Sequence, residues 1–364
     1  MRNKSKIKIF FFNPYPGIGG VDTVIKKFIN CLDLKIYNVE YLTLKKNNYT
    51  FNKNITCTNL NKKSVFLSYF KIIKLLLRDK SDKKIFFSLQ YFSNIWAVLF
   101  LKKLKKVKLF LYEVNHLDEL SNYKNLGEFI KKNIIKIFIK ALYSRADLIA
   151  GNSQELSNDL SKYIKKKVFT LYNPCFYGFK KKINENNLPK KIHILNIARL
   201  DFQKNHQTLL KAINIIKSKN RIKLTLVGNG EYFSKIKKFA NKNKIDIKIF
   251  PNETELRDFY LKADLFISTS LYEGLPTTMV EAASYNIPII SSNFRSGCKE
   301  ILNNGKNGYI FKVKDHVQLA FLIESFINDK KKFIYKTKKF SVSLKKFSYK
   351  KNIEIFKKLL FTLT

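Results

Sequence analysis

The amino-acid sequence predicts an α/β protein built on two doubly wound parallel sheets, and three observations carry that expectation. The chain has 364 residues, more than one hydrophobic core usually supports. Short β-branched or aromatic runs alternate with helical periodicities along nearly all of it, the pattern of parallel sheets covered by crossover helices. That rhythm breaks once, through LYNPCF and the polar stretch KKINENNLPKK, before a second series begins.

The first series of strands reads KIKIFFF, VEYLTL, KIFFSLQ, KVKLFLYEV, DLIAGN and KVFTLYN. Its basic opening is like that of a signal peptide, but the apolar run ends at Phe12, where Asn-Pro and glycines follow in place of a cleavage site. A first buried strand is therefore expected. The most membrane-like stretch, IFFSLQYFSNIWAVLFL, carries Ser88, Gln90, Ser93 and Asn94 at its middle. A spanning helix needs about 20 consecutive apolar residues, so this reads as strand, turn and buried helix. The second series reads KIHILNIA, RIKLTLVG, IDIKIF, DLFISTS, IPIISS and GYIFKV. The last helical pattern, YKKNIEIFKKLLF, follows its close and is expected to return to the first domain. The predicted division is a domain over 1–174 joined by a helix near 346–364, a linker over 175–190 and a second domain over 191–345. No short fixed period is present, which excludes a solenoid.

A formal net charge of +43 is the largest compositional signal. Lysine dominates it, and Asn, Ile and Phe are abundant too, as a codon-biased genome would produce. The lysines spread over most helices without a zinc finger, ribonucleoprotein signature or basic zipper, so no specific nucleic-acid partner is expected. An anionic membrane surface is the better candidate. Segments 64–80 and 127–145 interleave lysines with large apolar residues, and Lys132, Lys136 and Lys140 recur at a four-residue spacing suited to anionic headgroups. Four scattered cysteines without a C-x-x-C pair fit a reducing, cytoplasmic setting, peripheral to the membrane on its cytoplasmic face where the acceptor demands it.

Lys and Arg fill 70 of 364 positions, yet none lies between Lys262 and Arg295. A segment so free of cations is expected to be buried, and buried carboxylates are scarce unless paired or functional. Within it residues 268–292, STSLYEGLPTTMVEAASYNIPIISS, hold two: Glu273 and Glu281. DLFISTS reads as a strand, TTMVEAASYN as a helix with Met279, Ala282 and Ala283 inward, and IPIISS as the next strand, one right-handed crossover. YEGLP then lies at the carboxyl end of a parallel strand, where open α/β sheets bind ligands. Gly274 permits close backbone approach, and Pro276 suits a first helical position. The helix start at Thr277 favours an anion. Glu281 can accept both hydroxyls of a ribose and Glu273 those of a sugar; on the residues alone, a helix-capping Glu273 and a cation-paired Glu281 stay open.

The run EGLPTTMVEA through NIPIISS resembles the Glu-x7-Glu signature of retaining GT-B glycosyltransferases of family 4. GIGGVDTV is similar to that family's glycine-rich first loop, NIARLDFQKNHQTLLKAI to its Arg-Leu-x-x-x-Lys segment and SGCKEILNNGKNGYIF to its closing stretch. The resemblance implies two Rossmann-like domains facing a cleft and transfer of a sugar from a nucleotide-sugar donor, a uridine diphosphate N-acetylhexosamine being the leading choice. The acceptor is a saccharide hydroxyl, lipid-linked on a polyprenyl carrier or part of a lipopolysaccharide, in cell-surface glycan or glycoprotein oligosaccharide assembly. The donor is a co-substrate, so no cofactor is expected, and with no Asp-x-Asp pattern no metal is expected either.

The same resemblance assigns roles. Arg199 and Lys204 clamp the donor diphosphate, Arg with planar donors and Lys with a compact charge. His116 stands beside the donor sugar, with Glu113 and Asn115 lining the same pocket. Glu273, Gly274, Leu275, Pro276, Thr277 and Glu281 bind the donor, and Gly17, Gly19 and Gly20 approach a phosphate. Asp22 stands where the family often has Glu and receives no role. Glu300 faces the nucleotide or caps a helix, and Cys298 replaces an expected proline. Two rivals fail on the same residues. A dinucleotide-dependent oxidoreductase or epimerase needs G-x-G-x-x-G, which GIGGVD lacks, and a non-catalytic basic binding protein leaves the carboxylate loop unexplained.

Overall fold

The computed structural model describes residues 6–17, 20–45, 51, 54–180 and 191–364. Two compact units result: Met1–Pro174 with Lys350–Thr364, and Cys175–Tyr349. Each is a parallel sheet covered by helices.

The first unit has seven strands in the order β3-β2-β1-β4-β5-β6-β7. These are β1 (Ile7–Phe12), β2 (Tyr37–Thr43), β3 (Thr56–Asn59), β4 (Lys84–Leu89), β5 (Val107–Glu113), β6 (Leu148–Gly151) and β7 (Phe169–Thr170). All pairings are parallel. β1 and β4 are near-continuous apolar runs because both faces are covered. Between the strands run α1 (Gly20–Asn30), α2 (Val65–Arg78), α3 (Tyr91–Leu101), α4 (Leu126–Leu142) and α5 (Gln154–Ile164). The IFFSLQ…LFL segment is thus strand, turn and helix, with Gln90 in the turn at φ 70°. The helix Tyr349–Phe361 closes the unit, stacking Phe356 on Phe28 with ring centroids 4.3 Å apart. β3 corrects the six strands read from the first series. Its sequence, TCTN, is short, polar and at the sheet edge, and it is held by its ladder to β2 and by Thr58 Oγ1 donating to Glu40 at 2.6 Å.

The second unit has six parallel strands in the order β10-β9-β8-β11-β12-β13. They are β8 (Ile192–Ile197), β9 (Ile222–Val227), β10 (Ile247–Phe250), β11 (Leu265–Ser268), β12 (Ile289–Ser292) and β13 (Tyr309–Phe311). The helices include α6 (His206–Ile215), α7 (Phe233–Lys242), α8 (Arg257–Lys262), α9 (Thr277–Ser284), α10 (Cys298–Leu302) and α11 (His316–Asn328). Residues 181–190 of the expected linker lie outside the described residues. Lys180 belongs to this unit, its amide donating to Ser284 O at 2.8 Å.

Strand order reverses between β1 and β4 in the first unit and between β8 and β11 in the second. At such a point the loops leaving adjacent strands diverge and leave an opening at the carboxyl edge. The two loops that bound the second of these openings carry Arg199 and Lys204 on one side and Glu273 on the other.

Candidate functional site

The loop after β8 leads to α6, and the loop after β11 leads to α9. Lys204 Nζ meets Glu273 Oε1 at 2.5 Å, with the two side chains 16 % and 9 % exposed. Ser270 Oγ donates to the same oxygen at 2.7 Å. Gln203 Nε2 approaches Glu273 Oε2 at 3.3 Å and donates to Tyr272 O at 2.9 Å, while its Oε1 accepts from Arg199 at 2.9 Å. Backbone contacts lock the loops together: Leu271 N donates to Gln203 O and Thr269 Oγ1 to Lys204 O, both at 2.8 Å. Arg199, Lys204 and Glu273 therefore form one assembly joined by Gln203, a residue with no role expected from its sequence context. The Arg199 side chain pairs with Asp201 at 3.1 Å and remains 63 % exposed, so its charge is accessible to an anion.

The Gly274–Pro276 segment is set from behind. Ser296, buried and at φ 75°, donates its hydroxyl to Gly274 O at 2.8 Å. A Cβ on Gly297, itself at φ +85°, would lie 2.7 Å from Gly274 O and 2.8 Å from Pro276 Cδ. Two consecutive left-handed residues so close to a loop are costly unless the fold holds them. Pro276 occupies the capping position instead of the first helical position expected for it, and Thr277 opens α9. Amides at that end carry the positive pole of the helix. Leu275 is buried.

Glu281 lies one turn into α9. Tyr260 of α8 donates to its Oε2 at 2.8 Å, and the Tyr260 ring stacks on Tyr285 with centroids 5.0 Å apart. Burial, and after it the Glu281 charge, hold the Tyr260 hydroxyl far above its ordinary pKa. It stays a donor, aiming one carboxylate oxygen. Met279, Ala282 and Ala283 are fully buried. Cys298 is also buried and opens α10, in which Glu300 is half-buried.

In the first unit, Gly17 and Gly20 flank the turn between β1 and α1; Gly19 lies outside the described residues. Asp22 organises this turn, one oxygen accepting from the Gly17 amide at 3.0 Å and the other from Asn13 Nδ2 at 2.7 Å. An acid in the first turn of a helix behind a glycine loop was the available signal for that role. His116 follows β5, is 1 % exposed and caps the turn Leu117–Ser121 through Nδ1, which accepts from Asp118 N at 3.1 Å. Its Nε2 lies 3.0 Å from Asp159 Oδ2. Burial lowers the imidazole pKa, but Asp118 and Asp159 outweigh it and the net direction is up. Protonation at Nδ1 would forfeit the cap, so charge and local structure compete at this residue. Glu113 lies beneath, fully buried, accepting from Tyr143 and from Asn94 Nδ2 at 2.6 Å; burial pushes its pKa up to about 8. Asn115, whose carbonyl accepts from Tyr91 at 2.5 Å, is half-buried.

Residues 178–340 match the family model described as Glycosyl transferases group 1. An uncharacterized glycosyltransferase of Methanocaldococcus jannaschii is 29 % identical over 251 residues, 64 % of this chain and 61 % of that protein. A Campylobacter jejuni α-1,4-N-acetyl-D-galactosaminyltransferase named for an undecaprenol-diphosphate-linked substrate is 26 % identical over 73 % of this chain and 71 % of its own length. The crystal structure of Anabaena HepE in complex with UDP and glucose superposes with a TM-score of 0.76 at 14 % identity, over 98 % of this chain and 99 % of that one. The fold is GT-B, and the matches support a glycosyltransferase.

Proposed function

We propose that this protein is a retaining, metal-independent glycosyltransferase that moves an N-acetylhexosamine from its uridine diphosphate to a hydroxyl of a lipid-linked saccharide at an anionic membrane face. The observation that carries the reading is the assembly of Arg199, Lys204, Glu273 and the α9 start around the strand-order reversal between β8 and β11. Cations and helix amides supply positive potential to a leaving diphosphate without a metal, and carboxylates accept from hydroxyls. Glu281, aimed by Tyr260, takes the ribose hydroxyls; Glu273, held by Lys204 and Ser270, takes those of the sugar. The bond from the anomeric carbon to the diphosphate breaks as the acceptor oxygen bonds to the same face of that carbon, and the acceptor proton passes to a phosphate oxygen. No sugar is bound covalently to Glu273. The undecaprenol-linked substrate and the N-acetylgalactosaminyl group named for the Campylobacter relative support the acceptor and the transferred sugar, and the UDP held by HepE supports the nucleotide.

Calorimetric titration with UDP and with the intact UDP-sugar tests the assignment. Glu281→Ala should weaken UDP itself by roughly ten- to a hundredfold, as for hydrogen bonds to a charged group. Glu273→Ala should leave UDP affinity near wild type and impair use of the attached sugar. Donor turnover should persist in EDTA. Unchanged UDP affinity in Glu281→Ala would remove the ribose assignment, and turnover that EDTA abolishes and Mn²⁺ restores would remove the metal-independent step.

A further inference from the structure

Of the lysine stripe read from the sequence, Lys140 is exposed, but Lys132 and Lys136 are drawn back toward the turn before α4. Lys132 Nζ donates to Asn122 O and pairs with Glu128, and Lys136 donates to Ser121 Oγ at 3.0 Å. What α4 exposes instead is hydrocarbon. Only Ile139 and Leu142 of its seventeen residues are buried, while Leu126, Ile130, Ile134, Ile137 and Phe138 are 72, 52, 47, 66 and 40 % exposed. Their spacings of three and four residues put them on one side of the helix. α3 runs alongside with Phe92 and Leu99 exposed, and α2 beyond it with Phe66, Phe70 and Leu77. Phe66 bridges the rows, its ring 4.8 Å from Trp96 of α3 and 5.5 Å from Phe70. A groove of about 320 Å³ lies between α3 and α4, its walls aliphatic and aromatic apart from Lys131 and Gly127. An apolar surface spread over three helices exceeds the scattered exposure normal for a soluble protein.

We infer that this face of α2, α3 and α4 is a bilayer-docking surface that enters the hydrocarbon of an anionic membrane, with the groove taking an acyl chain. Charge selects the occupant. The three helices carry one carboxylate, Glu128, whose Oε2 is already engaged by the Lys124 amide and Lys132; against it stand three cations on α2 and four on α4. A cationic rim around an apolar centre matches lipid headgroups above acyl chains, whereas a second copy of a chain with net charge +43 would bring the same sign of charge to the rim. Among the described residues no helix is long and apolar enough to cross a membrane, so the contact is with one leaflet. Trp96, the chain's one tryptophan, lines this groove, so its emission reports what enters it. The inference deepens the membrane part of the proposed function and does not depend on the donor.

Trp96 emission with vesicles of phosphatidylcholine and phosphatidylglycerol, some brominated on the acyl chains, tests it in the whole protein. The emission should shift to the blue and be quenched by bromine in anionic vesicles, and co-sedimentation should persist after a 1 M salt wash (~3 Å Debye length). Ile130→Asp with Ile134→Asp should weaken vesicle binding at least tenfold, while Lys132→Glu with Lys136→Glu should weaken it less. Melting temperature and UDP titration of each variant verify folding. Binding that salt removes completely, binding without bromine quenching, or a shift of Trp96 emission that follows protein concentration without lipid, as a second copy would cause, each overturns the inference. Wild-type protein that inserts but does not bind UDP leaves this surface standing and fails the donor reading instead.

Discussion

Glu273 is held by a cation, which makes its placement measurable. Removing one partner of a buried ion pair costs about 3–5 kcal/mol; Lys204 is 16 % exposed and Ser270 and Gln203 remain on the carboxylate, so Lys204→Met should cost about 3 kcal/mol in urea unfolding. Glu273→Gln should cost less, because Lys204 can turn to solvent, and the double variant should recover part of the loss, with a coupling above 1 kcal/mol. Strictly additive costs would mean that the pair does not position Glu273. The two glutamates, Arg199 and Lys204 were legible because their signal is local: carboxylates in a cation-free stretch, and basic residues at a strand-to-helix turn. Gln203 and Tyr260 were not. Gln203 acquires its meaning from Glu273, 70 residues on, and Tyr260 from Glu281, 21 residues on. In sequence Gln203 reads as an ordinary residue before a helix and Tyr260 as an ordinary aromatic within one.

At the scale of elements, the α9 loop depends on the short segment Asn293–Gly297 that precedes α10. Gly297 combines φ +85° with a Cβ position blocked by backbone and by Pro276, so Gly297→Ala must either strain its own backbone, at about 1–3 kcal/mol, or push Gly274 and Pro276 aside. Transfer should fall at least tenfold, with UDP affinity, carried by Glu281 deeper in α9, much less affected. Equal losses in both would place the damage in the whole unit rather than in the loop. Long apolar strands were readable from their runs, and the crossover from β11 through α9 to β12 from its alternation. β3 was not, since the short run TCTN stands as an edge strand only because β2 offers a ladder. The α4 stripe shows the converse: periodic lysines were visible, but which face they occupy depends on Ser121 and Asn122, supplied by a turn before the helix.

For the whole molecule, the two series of strands and the break between them could be read because each sheet is built from consecutive β-α units. Buried titration could not, since it depends on what surrounds a group in three dimensions. Two such groups set opposing pH dependences. Glu113 is pushed up by burial to about 8, from an ordinary 4.5, so the native state holds the extra proton between those values; its contribution is complete below pH 4.5 and is lost as pH rises through 8. His206, buried and with its Nε2 3.0 Å from Asn196 Oδ1, is held down to about 3 from 6.5, by burial first and then by the Lys204 charge. Here the unfolded chain holds the extra proton, so stability is complete above pH 6.5 and is lost as pH falls through 3. From pH 4.5 to 6.5 the two slopes, each at most about 1.4 kcal/mol per pH unit, cancel. From 6.5 to 8 only the Glu113 loss remains, joined by a smaller one of the same sign from His116, whose pKa is also raised. Calorimetric melting temperatures should therefore be level in the middle of the range and fall on both sides. Glu113→Gln keeps an acceptor for Tyr143 and Asn94 without the titration and should flatten most of the alkaline fall. His206→Gln should flatten the acid one. An alkaline fall of the same steepness in Glu113→Gln would mean that the carboxyl is already ionised in the folded protein at pH 6.5, with Tyr143 and Asn94 sufficient to hold a buried charge.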